Sequence, residues 1–202
     1  MRLTIEPFGD GAVRARLPEE FDARTLLEAL RSLPGIVDVV VTERHALVTF
    51  DSASPPRAIE EAFTEGLSRL SSLPPPRAHS IGVRYGGDDL EEVARLAGLS
   101  PREVVTLHAD GDYVVAAIGF LPGFAYLRGL DARLVVPRRA APRTRVEALS
   151  VAIAGPYAGV YPFESPGGWN LLGTAVGFSP FDARAGAVLA LGDRVRFVEV
   201  GH

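Results

Sequence analysis

Four stretches of this 202-residue chain collect residue types that do chemistry. Gly119-Phe120-Leu121-Pro122-Gly123-Phe124-Ala125-Tyr126-Leu127 sets three aromatic rings among glycines and a proline. Pro137-Arg138-Arg139-Ala140-Ala141-Pro142-Arg143-Thr144-Arg145-Val146 carries four arginines. Ala152-Ile153-Ala154-Gly155 follows, and then Gly159-Val160-Tyr161-Pro162-Phe163-Glu164-Ser165-Pro166-Gly167-Gly168-Trp169-Asn170-Leu171-Leu172-Gly173. Glycine lets backbone come close to a ligand, and proline stiffens the loop that presents its neighbours. Phe120, Phe124, Tyr126 and Trp169 suit an apolar wall for a bound molecule. Arg138, Arg139, Arg143 and Arg145 offer forked donors that match a carboxylate or phosphate. Glu164 and Ser165 stand between prolines, where a carboxylate serves as acid or base, or as a partner for arginine. His108 is a second candidate for handling a proton, although a histidine at the end of a helix also complements the dipole. Each group has a structural reading beside the functional one: the rings as core, the arginines as a solvated strand face. No Ser-His-Asp order or carboxylate pair emerges from the spacing.

The absences narrow the chemistry further. All 21 basic residues are arginine, so the chain carries no Walker A lysine, Schiff-base lysine or lysine general base. It has no cysteine, hence no thiol nucleophile and no disulfide framework, which fits a reducing, cytoplasmic setting. His45, His79, His108 and His202 show no metal-binding spacing, so no metal site is expected. A net charge of −4 without a broad basic stripe argues against nucleic acid as a partner. No apolar run reaches the roughly 18 residues of a membrane span, and the early Glu6 is wrong for a signal peptide.

The elements that must position these groups fall into two domains. Leu3 to Pro7 and Ala12 to Leu17 read as strands around a Gly9-Asp10-Gly11 turn. Leu26, Leu27, Leu30 and Leu33 follow helical spacing from Phe21 until Pro34-Gly35. Ile36 to Val41 and Ala46 to Phe50 form a second strand pair, and a second helix starts near Pro55-Pro56 with Ile59, Phe63, Leu67 and Leu70 on one face. This predicts an α+β domain over 1–76, a ferredoxin-like sheet with two helices on one side. Pro74-Pro75-Pro76 is stiff and extended and marks the boundary. Over 77–202, Ile81 to Tyr85 is a strand, Asp88 to Leu96 a helix with early carboxylates, and Ser100-Pro101-Arg102-Glu103 a capping box opening a helix that reaches His108. Strands are then expected over Tyr113 to Gly119, Leu134 to Val136, Ser150 to Ala154, Gly159 to Tyr161, Asn170 to Leu172 and Arg194 to Val200. Their Gly and Pro punctuation predicts a closed or nearly closed β-barrel.

Taken in order, G-F-L-P-G-F-x-Y-L, P-R-x-x-x-P-R-T-x-V, I-A-G and G-x-Y-P-x-E-S-P-G-G-W-x-L-x-G resemble the B subunit of 5-oxoprolinase. That family includes the sporulation-kinase inhibitor KipI and is similar to allophanate hydrolase subunit 1 and to part of urea carboxylase. Tyr85-Gly86-Gly87-Asp88-Asp89-Leu90 and Leu107-His108 with Tyr113 match as well. The likeness is strongest from Tyr85 to Gly173. It implies a cyclophilin-like β-barrel after the small N-terminal domain, and an ATP-dependent enzyme built with an A subunit and a KipA-like C subunit that opens 5-oxoproline to L-glutamate. The chain departs from the family where Gly173-Thr174-Ala175-Val176 replaces the common Gly-Arg-Thr-Pro, where Ala125 replaces a proline, and where Tyr157-Ala158 replaces a polar pair.

On this reading ATP is the co-substrate and the chain is inactive alone. His108, Glu164 and Arg143 are the catalytic candidates, and Phe120, Phe124, Tyr126, Arg138, Ser165 and Trp169 bind the small-molecule substrate. Three other readings compete: an interaction protein that inhibits a sensor histidine kinase, a subunit related to allophanate hydrolase or urea carboxylase, and a prolyl isomerase suggested by the barrel alone.

Overall fold

The computed structural model describes residues 4–51, 56–68 and 73–201; Leu3, Pro55, Leu70 and His202 lie outside the described residues. The chain divides into two compact units, Met1–Pro75 and Pro76–His202. Each side of the division is tied down locally. An Arg24 guanidinium donates to the Pro74 carbonyl at 2.7 Å. Two residues past the boundary, the Arg77 backbone N–H donates to the buried Asp193 carboxylate at 3.0 Å.

The first unit runs β1 (Thr4–Pro7), β2 (Ala12–Arg16), α1 (Ala23–Arg31), β3 (Ile36–Val41), β4 (His45–Phe50) and α2 (Pro56–Ser68). The sheet is antiparallel in the order β1-β2-β4-β3. Val13 and Ala15 of β2 pair with Val48 and Ala46 of β4, which also face Val39 and Val41 of β3. All six are buried, because period-two alternation puts them on one face. Asp22 caps α1, its carboxylate accepting from the Arg24 and Thr25 N–H groups. Leu26 and Leu30 of α1 and Ile59 and Phe63 of α2 are also fully buried.

The second unit opens with β5 (Ala78–Tyr85), α3 (Leu90–Ala97) and α4 (Pro101–Ala109). The capping box is present: the Ser100 hydroxyl accepts from Glu103 N–H while the Glu103 carboxylate accepts from Ser100 N–H. Then come β6 (Tyr113–Ile118), β7 (Ala125–Arg128), β8 (Arg143–Val146), β9 (Ser150–Ala154), β10 (Tyr157–Val160), β11 (Ser165–Gly167), β12 (Asn170–Val176), β13 (Phe181–Asp182), β14 (Gly186–Ala187) and β15 (Arg194–Glu199). Seven of these close a barrel in the order β10-β7-β6-β15-β5-β12-β9, while β8 with β11 and β13 with β14 form two small ribbons. Leu134 to Val136 is not the strand expected. Ala132–Leu134 is a single 3-10 turn and only Val136 bridges, to Gly155. In its place β7 completes the wall, built from Ala125–Arg128 inside the first motif.

Strand alternation gives the barrel wall two different faces. Ile81, Val83, Val115, Leu127, Val151, Ile153, Leu172, Val195 and Phe197 point into the main core. On β9, whose five residues are all buried, Ala152 and Ala154 point the other way, into a second cluster with Phe124, Tyr161 and Trp169. The main core is an ordinary packed interior; the outer layer gathers the motif aromatics.

Candidate functional site

The aromatic residues predicted to wall a site do meet. Phe124 and Trp169 lie edge to face at 5.2 Å between centroids, Phe124 and Tyr126 at 5.2 Å, and Tyr126 and Trp169 at 5.6 Å. Small residues under them make this possible. A Cβ on Gly159 would stand 3.0 Å from the Ala125 carbonyl oxygen, 3.1 Å from Phe124 and 3.2 Å from Trp169, so a larger residue would crowd the rings against the strand. Phe120 joins at 5.5 Å from Phe124, yet it is 59% exposed and held at φ 73°. A phenylalanine in the left-handed region is strained by about 1–3 kcal/mol, and such residues persist where the surroundings impose them. Here Phe124 N–H donates to the Leu121 carbonyl and Gly119 N–H to the Phe124 carbonyl, closing the loop that turns Phe120 outward.

Tyr161, unremarked among the candidates from sequence, sits in the same cluster 5.3 Å from Phe124. Burial raises the pKa of its phenol, opposed by a hydrogen bond with the Trp169 backbone and by the charges of Arg138 and Arg143. A Cβ on Gly167 would fall 2.3 Å from the Tyr161 hydroxyl, so that glycine is required for the phenol to hold its place beside the Trp169 backbone.

The arginine segment is organised by a residue that sequence reasoning passed over. Asp89 is buried at the N-terminus of α3, but its carboxylate does not cap that helix. A capping side chain contributes about 1 kcal/mol, and this one is turned elsewhere. Asp89 accepts two parallel bonds from Arg143, Nη1 to Oδ2 at 2.8 Å and Nη2 to Oδ1 at 2.9 Å, and a further one from Arg139 Nη1. The Leu171 backbone N–H adds another to Oδ2 at 2.8 Å. Burial would raise the Asp89 pKa, but the Arg143 and Leu171 hydrogen bonds and the charges of both arginines outweigh it and hold it below the ordinary carboxylate value. Two backbone-level ties fix the same segment: Arg139 N–H donates to the Gly168 carbonyl at 2.9 Å, and the Asn170 amide donates to the Pro137 carbonyl at 2.9 Å.

The other candidates separate. Arg143 is engaged by Asp89, with both terminal nitrogens on its carboxylate. Glu164 pairs with Arg145 at 2.8 Å, both well exposed. Ser165 is buried in β11, and its hydroxyl, like Arg139 Nε, has no hydrogen-bond partner among the described residues. Arg138 is exposed and has no carboxylate within ion-pair distance among the described residues. His108 is elsewhere, fully buried in the main core. It is stacked on Phe197 at 4.5 Å, with Nδ1 bonded to the Tyr85 hydroxyl at 2.8 Å. Burial pushes its pKa down to about 3, so it stays neutral. Thr174, where the family's arginine is expected, is exposed on β12. Among the described residues no group of three or more His, Asp or Glu side chains is placed to hold a metal.

A barrel with a second aromatic layer on its outer wall and an arginine loop stapled beside it defines a class. Residues 3–188 match the family described as carboxyltransferase domain, subdomain C and D. Within that class, the chain is 48% identical over 186 residues to the 5-oxoprolinase B subunit of Escherichia coli O157:H7, covering 86% of this chain and 82% of that protein. It is 33% identical over 227 residues to the 5-oxoprolinase B subunit of Bacillus subtilis (strain 168), covering all of this chain and 95% of that one. The crystal structure of TTHA0988 superposes with a TM-score of 0.80 at 38% identity over 95% of this chain, which spans 40% of the TTHA0988 chain. The chain belongs to the family of 5-oxoprolinase B subunits.

Proposed function

We propose that this chain is the B subunit of an ATP-dependent 5-oxoprolinase, opening the lactam of 5-oxo-L-proline to L-glutamate together with A and C subunits. The observation that carries the reading is an exposed arginine without a carboxylate partner among the described residues, Arg138, on a loop whose neighbouring residues are hydrogen-bonded to the residues on either side of Trp169. An arginine and aromatic rings suit a flat five-membered ring bearing one carboxylate. In this reading the ring lies against Phe120 and Tyr126, the two rings with exposed surface, while Phe124 and Trp169 are buried behind them as backing, and the carboxylate takes the Arg138 fork. Arg143 acts through Asp89 and through its charge beside Tyr161. Glu164, exposed and paired with Arg145 among the described residues, is the group assigned to proton transfer. His108 has no surface and belongs to the scaffold.

ATP supplies the driving force, since an unactivated amide is a poor electrophile. This chain has neither lysine nor a P-loop, and its arginines fit a phosphate only where they fit a carboxylate. We therefore assign the nucleotide to the assembly rather than to this chain. The same reading takes the barrel as cyclophilin-like and the assembly as cytoplasmic. It takes the N-terminal sheet as a circularly permuted ferredoxin-like arrangement, with β1 standing where that fold places its last strand.

A coupled ATPase assay with 5-oxoproline, run on the chain alone and with A and C subunits, tests the proposal. Turnover should require all three. Robust turnover by the isolated chain, or none by the complete set, would overturn it. Inhibition of a histidine kinase by the chain alone would favour the interaction reading instead.

A further inference from the structure

We infer that Asp89 is the positioning residue of the site. It consumes Arg139 and Arg143 so that Arg138, on the same loop, is left as a preorganised receptor for the substrate's carboxylate. The inference rests on the reading above and deepens it. Three observations combine. Asp89 gives up the capping position at the start of α3 to accept from Arg143, Arg139 and the Leu171 N–H, joining segments 50 to 82 residues apart in sequence. The residues on both sides of Arg138 are fixed, Pro137 through its carbonyl to Asn170 and Arg139 through its backbone to Gly168 as well as its side chain to Asp89. Arg138 itself is exposed, has no carboxylate partner among the described residues, and acts electrostatically on Tyr161 in the aromatic cluster. A guanidinium whose backbone is clamped on both sides loses less freedom on gripping an anion than one on a loose loop.

Trp169 is the only tryptophan in the chain, so its fluorescence reports ligand arrival directly. The experiment titrates the assembled complex with 5-oxoproline and with 2-pyrrolidone, the same ring without the carboxylate. The partners' own tryptophans are replaced by phenylalanine. The unmodified chain should prefer 5-oxoproline at least tenfold. Arg138→Gln should abolish that preference, Asp89→Asn should abolish it too, and the double variant should lose no more than either single one. A preference that survives Arg138→Gln, or losses that add in the double variant, would overturn the inference, because a merely structural Asp89 would not act through Arg138. If Asp89→Asn does not fold, Arg143→Lys keeps the charge, breaks the fork on Asp89 and carries the same expectation. Carboxylate preference that behaves as expected in an assembly without 5-oxoproline-dependent ATP turnover sinks the proposed function alone. Turnover with a preference indifferent to Arg138 sinks this inference alone.

Discussion

Two buried ionisable residues, Asp89 and His108, show how little a residue's type says until its neighbours are known. Asp89 looks in sequence like one more acid in a helix's first turn. Its partners Arg139, Arg143 and Leu171 are far along the chain, and only the fold brings them together. His108 looks like a proton shuttle, but Tyr85, Tyr113 and Phe197 enclose it. Both should make the protein sensitive to acid, in different windows. Burial depresses the folded-state pKa of His108 from 6.5 to about 3. Stability from its neutral form is therefore full above pH 6.5 and falls away as pH drops toward 3, by on the order of 5 kcal/mol in all. The lowered pKa of Asp89 acts the same way, beginning only below its ordinary value of 3.8. Urea midpoints should fall between about pH 7 and about pH 4.5, and His108→Gln should flatten that slope; an unchanged slope would show that another group titrates. Asp89→Ala leaves two arginines facing an empty partner and should cost about 3 kcal/mol near neutral pH, read from the same urea curves.

At the level of elements, the sequence showed the helices and most strands of both units because caps, prolines and alternation are local signals. It hid β7, whose residues sit inside a motif rich in glycine and proline, and the two small ribbons, whose pairing is set by tertiary contacts. It also did not show that the aromatic motif faces outward from the wall. That depends on the register that puts Ala152, Ala154 and Gly159 beneath the rings. The loop between β6 and β7 gives the sharpest test here. Phe120 is exposed and strained, so removing its ring should leave stability within about 0.5 kcal/mol while activity of the assembled enzyme falls at least tenfold. Phe120→Gly should melt no lower than Phe120→Ala, since glycine accepts the positive φ without strain. A large drop in melting temperature with full activity would make Phe120 a packing residue. Gly87→Ala should be much worse for stability, by about 2 kcal/mol or more, because its new Cβ would lie 2.6 Å from backbone atoms of Leu171 and Gly173. Circular dichroism melts compare these variants directly.

At the scale of the whole molecule, the second unit carries both the main core and the aromatic layer, and the first carries its own buried sheet face. Cutting between Pro74 and Pro76 should therefore leave a C-terminal piece that folds. Its amide spectrum should be dispersed and should overlay that part of the intact chain; a collapsed spectrum would mean that the units share a core. The division into compact units falls between Pro75 and Pro76, in the proline run, which is a local feature of the sequence. What was not legible was how the barrel closes: β5 and β15, at opposite ends of the second unit's sequence, run parallel side by side, and no local pattern announces a pairing at that distance.

That closure has a mechanical consequence. Ala78 lies opposite Arg194 at one end of the strand pair and Val83 opposite Glu199 at the other, so the first and last strands of the unit are neighbours that point the same way. A force that draws the unit's two ends apart pulls these strands past one another, and the whole ladder between them is loaded together instead of opening bond by bond. Stretched in a single-molecule instrument, or drawn by one end into an unfolding motor, the barrel should hold until that ladder shears and then give way in one step.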